Sequence, residues 1–392
     1  MNTKDYKKKL LDLGLLPTQE QELLLKAALL IGKDAISAWQ KWKTAVDINF
    51  LDHASINLLP LLYYNLTEQG IKDPFINRYK GTFRKTWYKN QLLMSDLKAF
   101  VSLFQKAGIK IMALKGIALI LKYYPNYGLR PMADIDVMVP IDKIPEALLL
   151  LEEEGWVSNY RLLIEQKGYI KFTKKKIDEQ FFTVRASCGF ENSLKREIDL
   201  HGHVLNQCFN DRVDDKFWEA AQSFKISDEL DTHLLSPTDT LFQVIMHGLK
   251  KENIINIRWI ADSYTIISKS KIDWERLSAT AEQHGLIIYL VYGISYLKEL
   301  LNVSIPEYWF IELQNFNLSP KDYRFLRNEN KLNYMSYWTK HSRFHINTNF
   351  FQRVILFPKY IKRIFLLNNY MQIPFYIIYR IFNRKIDKIF HS

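Results

Sequence analysis

The chain has 392 residues, of which 48% are hydrophobic and 24% charged, so it is not a disordered protein and has room for two or three domains. With 14 glycines and 12 prolines, it is too poor in turn residues for an all-β sandwich and reads instead as rich in long helices. A formal charge of +12 suits nucleic acid, nucleotide phosphates or an anionic membrane, and does not by itself choose among them.

Cys188 and Cys208 have no metal-site spacing and cannot build a disulfide framework, which predicts two reduced structural thiols in a cytosolic protein. No run of about 18 uncharged apolar residues predicts a transmembrane helix. The stretch Met1 to Leu16 mixes Lys and Asp with leucines and lacks the uncharged core of a signal peptide. These features predict a cytoplasmic protein, at most peripheral to a membrane.

Residues 1–107 read as helical. Leu23, Leu24, Ala27, Ala28 and Ile31 recur at helical spacing, as do Leu58, Leu59, Leu62 and Tyr63. A long amphipathic pattern from about Asn77 to Lys106 carries Phe83, Trp87, Leu92, Leu97, Phe100 and Phe104, and Gly108 is placed to end it. The texture then changes. Residues 109–114 and 135–139 are short apolar runs that read as buried strands, with a helix over 116–124 between them. Asp142 is expected to cap a helix that runs to Glu154 and stops at Gly155. Further strands are expected over 157–162, 169–173, 180–185 and 197–204, with a hairpin turn at 174–178. Helices return near Ser236, the first opening with Pro237, Thr238 and Asp239 and carrying Leu241, Val244, Ile245 and Leu249. A second contains Ile257, Ile260, Ile266 and Ile267.

The predicted fold class is α+β, a small mixed β-sheet domain embedded between helical segments. Its divisions are a helical region over 1–107, the sheet domain over 108–235, a helical domain over 236–345 and a basic, aromatic helical tail over 346–392. From Phe351 to Ser392 there are eight Lys or Arg and one acid, Asp387, interleaved with aromatic residues. Such a stripe suits packing on the sheet domain under long basic stems, or contact with a membrane interface.

The stretch richest in chemistry is Leu114-Lys115-Gly116, followed eighteen positions after Gly116 by Asp134-Ile135-Asp136-Val137. On a strand, Asp134 and Asp136 share one face. Two neighbouring carboxylates repel unless a cation lies between them, and magnesium favours carboxylate and phosphate oxygens. Such a pair at a strand end suits two-metal phosphoryl or nucleotidyl transfer. A third carboxylate is expected on a neighbouring strand. Within Arg196-Glu197-Ile198-Asp199-Leu200-His201, Asp199 is the choice and Glu197, on the same face, its rival. Lys115 and Gly116 form a tight strand-to-helix turn where backbone amides can approach a phosphate. Arg130, four residues before Asp134, is placed to counter phosphate charge.

Residues 111–139 and the elements after them resemble the uncharacterised nucleotidyltransferase family of bacteria, within the polymerase-beta-like superfamily, which turns up in exopolysaccharide and peptide-product gene clusters. The likeness rests on Leu114-Lys115-Gly116, Tyr124-Pro125, Arg130 and Asp134/Asp136. It extends to Ile198-Asp199-Leu200-His201, to His247 with Arg258-Trp259-Ile260-Ala261-Asp262, and to the region of Tyr88 and Asn90, over roughly residues 20–300. One departure stands out. The superfamily usually carries Gly-Ser or Gly-Gly at the turn where this chain has Lys115-Gly116.

The resemblance implies a metal-dependent transfer of a nucleoside monophosphate from a nucleoside triphosphate, with pyrophosphate released. Asp134, Asp136 and Asp199 would hold magnesium, two ions being expected, while Lys115, Gly116 and Arg130 meet phosphate. His201, His247 and Asp262 are secondary candidates, the last two either as parts of a helical lid or as hydrogen-bond partners of each other between helices. The acceptor is open among a glycan, a peptide product, a protein or tRNA. Rival readings are a transferase of another phosphate-linked group in peptide or polysaccharide biosynthesis, and a non-catalytic, membrane-associated partner.

Overall fold

The computed structural model describes residues 6–158, 179–183, 185–205, 213–250, 256–329, 338, 341, 349–364, 367 and 369–374. The expected strand over 169–173, the hairpin turn at 174–178, Cys208, and most of the tail after 364 lie outside them.

The amino-terminal part is helical, as its periodicity predicts: α1 (Tyr6–Asp12), α2 (Gln19–Leu29), α3 (Gly32–Ala45), α4 (His53–Ile56), α5 (Leu59–Glu68) and α6 (Ile76–Lys106). Thr18 and Gln21 close a reciprocal capping box at the start of α2. Gly108, at φ 69°, takes the left-handed position after α6, and the Ile109 amide bonds back to the Phe104 carbonyl.

The sheet domain comes next with β1 (Met112–Leu114), α7 (Lys115–Lys122), β2 (Ile135–Met138), α8 (Ile144–Glu153), β3 (Val157–Ser158), α9 (Glu179–Phe182), β4 (Ser187–Glu191), β5 (Glu197–His201), α10 (Asp215–Glu219), β6 (Gln222–Ser227) and β7 (Leu230–Leu234). Among the described residues these strands form one mixed sheet in the order β3-β4-β5-β2-β1-β7-β6. The centre is completely buried: β1 and β2 are antiparallel, and β2 runs parallel to β5. Two register relations bring the candidate site residues together. Leu114 lies opposite Asp136, and Asp136 lies beside Asp199.

The carboxy-terminal helices are α11 (Pro237–Gly248), α12 (Arg258–Lys269), α13 (Trp274–Gln283), α14 (Ile287–Leu301), α15 (Glu307–Gln314), α16 (Pro320–Glu329) and α17 (Phe350–Ile364). Helix α14 is buried on nearly every side, as its almost continuous apolar sequence requires. It also packs against the amino-terminal helices. Tyr292 packs against Tyr6, and the Tyr296 hydroxyl donates to Glu22 at 2.7 Å. One apolar core runs from Tyr6 to Leu326.

The structure corrects several expectations. In place of a strand over 180–185, Glu179–Phe182 is a helical turn. Phe181 and Phe182 are both buried there, so tertiary packing overrides the strand propensity of the aromatic pair. Asp142 does not cap α8. It lies in a single 3-10 turn, Ile141–Lys143, and Lys143 holds the cap position. Pro145, lacking an N–H, fits the first turn of a helix, so α8 starts at Ile144. Strand β5 stops at His201, earlier than expected, and β4 and the β6–β7 hairpin are strands that the sequence pattern does not announce.

Candidate active site

The site lies where β1 passes into α7, against the centre of the sheet. Lys115 adopts φ 49°, a left-handed conformation that costs a non-glycine residue on the order of 1 kcal/mol. From this turn its ammonium reaches Oδ1 of Asp136 at 2.5 Å and stands 3.4 Å from Nε2 of His201. His201 Nε2 is itself 3.0 Å from the same Asp136 oxygen. Asp136 and His201 are buried, at 5% and 1% exposure.

The third carboxylate is Asp199, brought beside Asp136 by the parallel pairing of β2 and β5. Ligand atoms of Asp136, Asp199 and His201 all lie within 4.8 Å of one another, close enough to hold one metal ion. Glu197 is exposed at the far end of β5, paired across the sheet with Glu191. Asp134 precedes β2 and is half-buried. It lies outside the cluster of three but close enough for its charge to act on Lys115.

These groups perturb one another. Burial alone would push the Asp136 carboxyl up, but the Lys115 ammonium and the His201 hydrogen bond outweigh it and hold the group well below the usual carboxylate range. Burial works against the charged form of Lys115, and Asp136 more than restores it. Asp134 goes the other way. Burial, with Asp136 and Asp199 adding like charge, pushes it up to about 6.

The remaining candidates are positioned differently from one another. Gly116 is the second residue of α7 and lies immediately beside Arg130: a Cβ there would lie 2.7 Å from the Arg130 guanidinium and 3.0 Å from the Met132 sulfur. Arg130 does not project freely toward a ligand. Its Nε and one terminal nitrogen donate to the two oxygens of Asp262 at 2.8 and 2.9 Å. The Tyr124 hydroxyl donates to the same carboxylate at 2.7 Å. Arg258 donates to the Pro131 carbonyl at 2.6 Å, and Asn90 of α6 donates to the carbonyls of Tyr127 and Arg130. Asp262 therefore anchors the 124–131 loop to α12 through a bidentate ion pair.

His247, on α11, is half-buried in a small cavity with Lys115, Val204, Leu205, Gln243 and Met246. Burial, reinforced by Lys115 and Lys250, pushes its imidazole down to about 3, so it stands there uncharged. Gln243, which no sequence motif singles out, accepts from the Lys115 amide at 3.4 Å and donates to the Val204 carbonyl at 3.3 Å. The signal available for it is spacing, since Gln243 and His247 are four apart on one helix face.

A family model described as "Uncharacterised nucleotidyltransferase" matches residues 54–302, more than half of the chain. The chain belongs to that family. The match starts within the amino-terminal helices, covers the whole sheet and ends just past α14, so the described cluster and both of its helical supports lie inside the nucleotidyltransferase region. No curated protein matches the chain.

The donor set suits the divalent cation that nucleotidyltransferase chemistry calls for. Asp136 and Asp199 provide carboxylate oxygens. His201 turns Nδ1 toward the His203 carbonyl at 3.3 Å, the outer contact that typically leaves Nε2 to a metal. Lys115, against Asp136, marks the place where positive charge is stable. Beyond it, His203 is held by Asp214 at 2.6 Å and by the Phe182 carbonyl at 3.1 Å, which fixes the chain as it leaves β5. Cys188 is a free, buried thiol on β4 that burial pushes up to about 12, in keeping with a structural role.

Proposed function

We propose that this nucleotidyltransferase transfers a nucleoside monophosphate from a nucleoside triphosphate to an acceptor hydroxyl or phosphate and releases pyrophosphate. The observation that carries the reading is the alignment of Asp136 with Asp199 on adjacent parallel strands, with His201 closing the cluster. Asp134, Asp136 and Asp199, with His201 alongside, are the residues that would hold magnesium, two ions in this reading. When bound, the metal neutralises triphosphate oxygens and makes the α-phosphorus a better electrophile.

The protein's own groups do the rest. Asp199, beside Asp136, takes the proton from the attacking oxygen. That oxygen forms the new bond to the α-phosphorus as the bond to the β-phosphate oxygen breaks, and the electron pair leaves with pyrophosphate. Lys115 shifts from Asp136 to the triphosphate and meets the charge that develops there. Arg130 sets the position of the Gly116 turn, and its role toward phosphate is exercised from within its pair with Asp262. Neutral His247 offers a hydrogen bond rather than charge.

The reading brings with it membership of the polymerase-beta-like superfamily, a bacterial and cytoplasmic setting, and the division into helical, sheet, helical and tail segments. The acceptor is read as a glycan, peptide product, protein or tRNA. Pyrophosphate release with each common nucleoside triphosphate and magnesium, set against Asp136→Asn, tests it. Release that disappears in the variant supports the reading, and a folded wild type that releases none overturns it.

A further inference from the structure

Helix α17 has two unlike faces. On one, Tyr360 and Ile361 are buried, and Phe357 packs against Trp338 at 5.1 Å and His341 at 5.3 Å between ring centres. The helix also leans on α9, whose Phe182 carbonyl meets His203 two residues beyond the site histidine. The other face is open to solvent. Phe351 is 77% exposed, Ile355 75% and Val354 45%. With exposed Pro358 they occupy positions i, i+3, i+4 and i+7, a single stripe along the helix.

The charges are one-sided. Phe350–Ile364 contains Arg353, Lys359, Lys362 and Arg363 and no acid, and the last three come directly after the apolar stripe. Past the helix, Tyr370 and Met371 are again exposed, and the Lys362 ammonium stands 4.9 Å over the Tyr370 ring. The sequence after 374 continues in the same way, with Arg380, Arg384, Lys385 and Lys388 against Asp387.

A soluble surface seldom leaves large apolar side chains contiguous on one helix face. A polyanion such as RNA would use the cations and leave Phe351 and Ile355 without a purpose. A protein partner would account for the stripe but not for charge of a single sign. A stripe of apolar side chains next to cations, with no carboxylate to repel lipid phosphate, matches the interface of an anionic bilayer. No helix among the described residues is long and apolar enough to cross one.

We propose that α17 docks the chain on an anionic phospholipid surface, with Phe351, Val354 and Ile355 entering the acyl boundary and Lys359, Lys362 and Arg363 meeting lipid phosphates. This rests on α17 alone and is independent of the reaction assigned to the sheet domain. The test is flotation of the full chain with vesicles of phosphatidylcholine, with and without phosphatidylglycerol. The expected result is binding to the vesicles that contain phosphatidylglycerol, weakened by salt and absent on phosphatidylcholine alone.

Phe351→Ser/Ile355→Ser is expected to lower the partition constant by on the order of tenfold or more. Lys359→Gln/Lys362→Gln/Arg363→Gln is expected to lower it by on the order of a hundredfold. Both sets change exposed or half-buried groups, so an unchanged melting curve confirms that each variant is folded. Three results would overturn the proposal: a wild type that stays with the soluble fraction, variants that float as wild type does, or capture of tRNA in place of vesicles.

Discussion

The Lys115 ammonium and the Asp136 carboxylate lie 2.5 Å apart, and this contact brings a strained turn and the centre of the sheet into one charge cluster. A buried carboxylate that loses such a partner is left with uncompensated charge. Lys115→Met is therefore expected to destabilise the metal-free protein by about 3 kcal/mol. Added manganese should recover more melting temperature in the variant than in wild type, because the cation then replaces the lost ammonium. Differential scanning fluorimetry with and without manganese checks this, and an equal metal response in both proteins would contradict it.

Arg130, Asp262 and Tyr124 form the buried link between the 124–131 loop and α12. Asp262→Asn, which keeps the shape and removes the charge, is expected to cost about 3 kcal/mol of stability, seen as a lower urea midpoint. Arg130→Met should cost a similar amount. The double variant should cost clearly less than the two together, since neither buried charge is then left alone.

Gly116→Ala tests how closely the turn is packed. The added methyl would lie 2.7 Å from the Arg130 guanidinium, itself held by Asp262, so the turn must move. A loss of about 1–3 kcal/mol is expected, together with weaker triphosphate binding by calorimetry.

Asp134 sets a pH dependence. Burial and its acidic neighbours push it up to about 6, above an unfolded value of about 4. The folded chain therefore holds this proton more tightly than the unfolded chain. The associated stability is complete below about pH 4 and is lost as pH rises through 6. A divalent cation must displace the same proton, so its affinity should rise as pH passes from 5 to 7. Manganese titrations at these pH values check the direction, and affinity that falls with pH would contradict it.

Much of this is legible in the sequence because the decisive patterns are local. The period of Leu97, Phe100 and Phe104 identifies α6, and the short apolar runs 109–114 and 135–139 identify the two central strands. Alternation puts Asp199 and His201 on the face opposite Ile198 and Leu200, and pairing with β2 brings both to Asp136. What escapes depends on tertiary context. The pair Phe181-Phe182 forms a helical turn because both rings are buried. Strand β4, Ser-Cys-Gly-Phe-Glu, has weak strand propensity and is set by its neighbour β5. The partner of Arg130 is Asp262, 132 residues away, a pairing that only the fold reveals.

The most direct test of the central claim asks which phosphorus moves. The chain is incubated with magnesium, a nucleoside triphosphate and candidate acceptors, with the label on the α-phosphate in one series and on the γ-phosphate in the other, for wild type and Asp136→Asn/Asp199→Asn. The account predicts that α-label passes to the acceptor, that γ-label leaves as pyrophosphate, and that both events vanish in the variant. Transfer of γ-label to the acceptor, or α-label transfer that survives loss of both carboxylates, would contradict it.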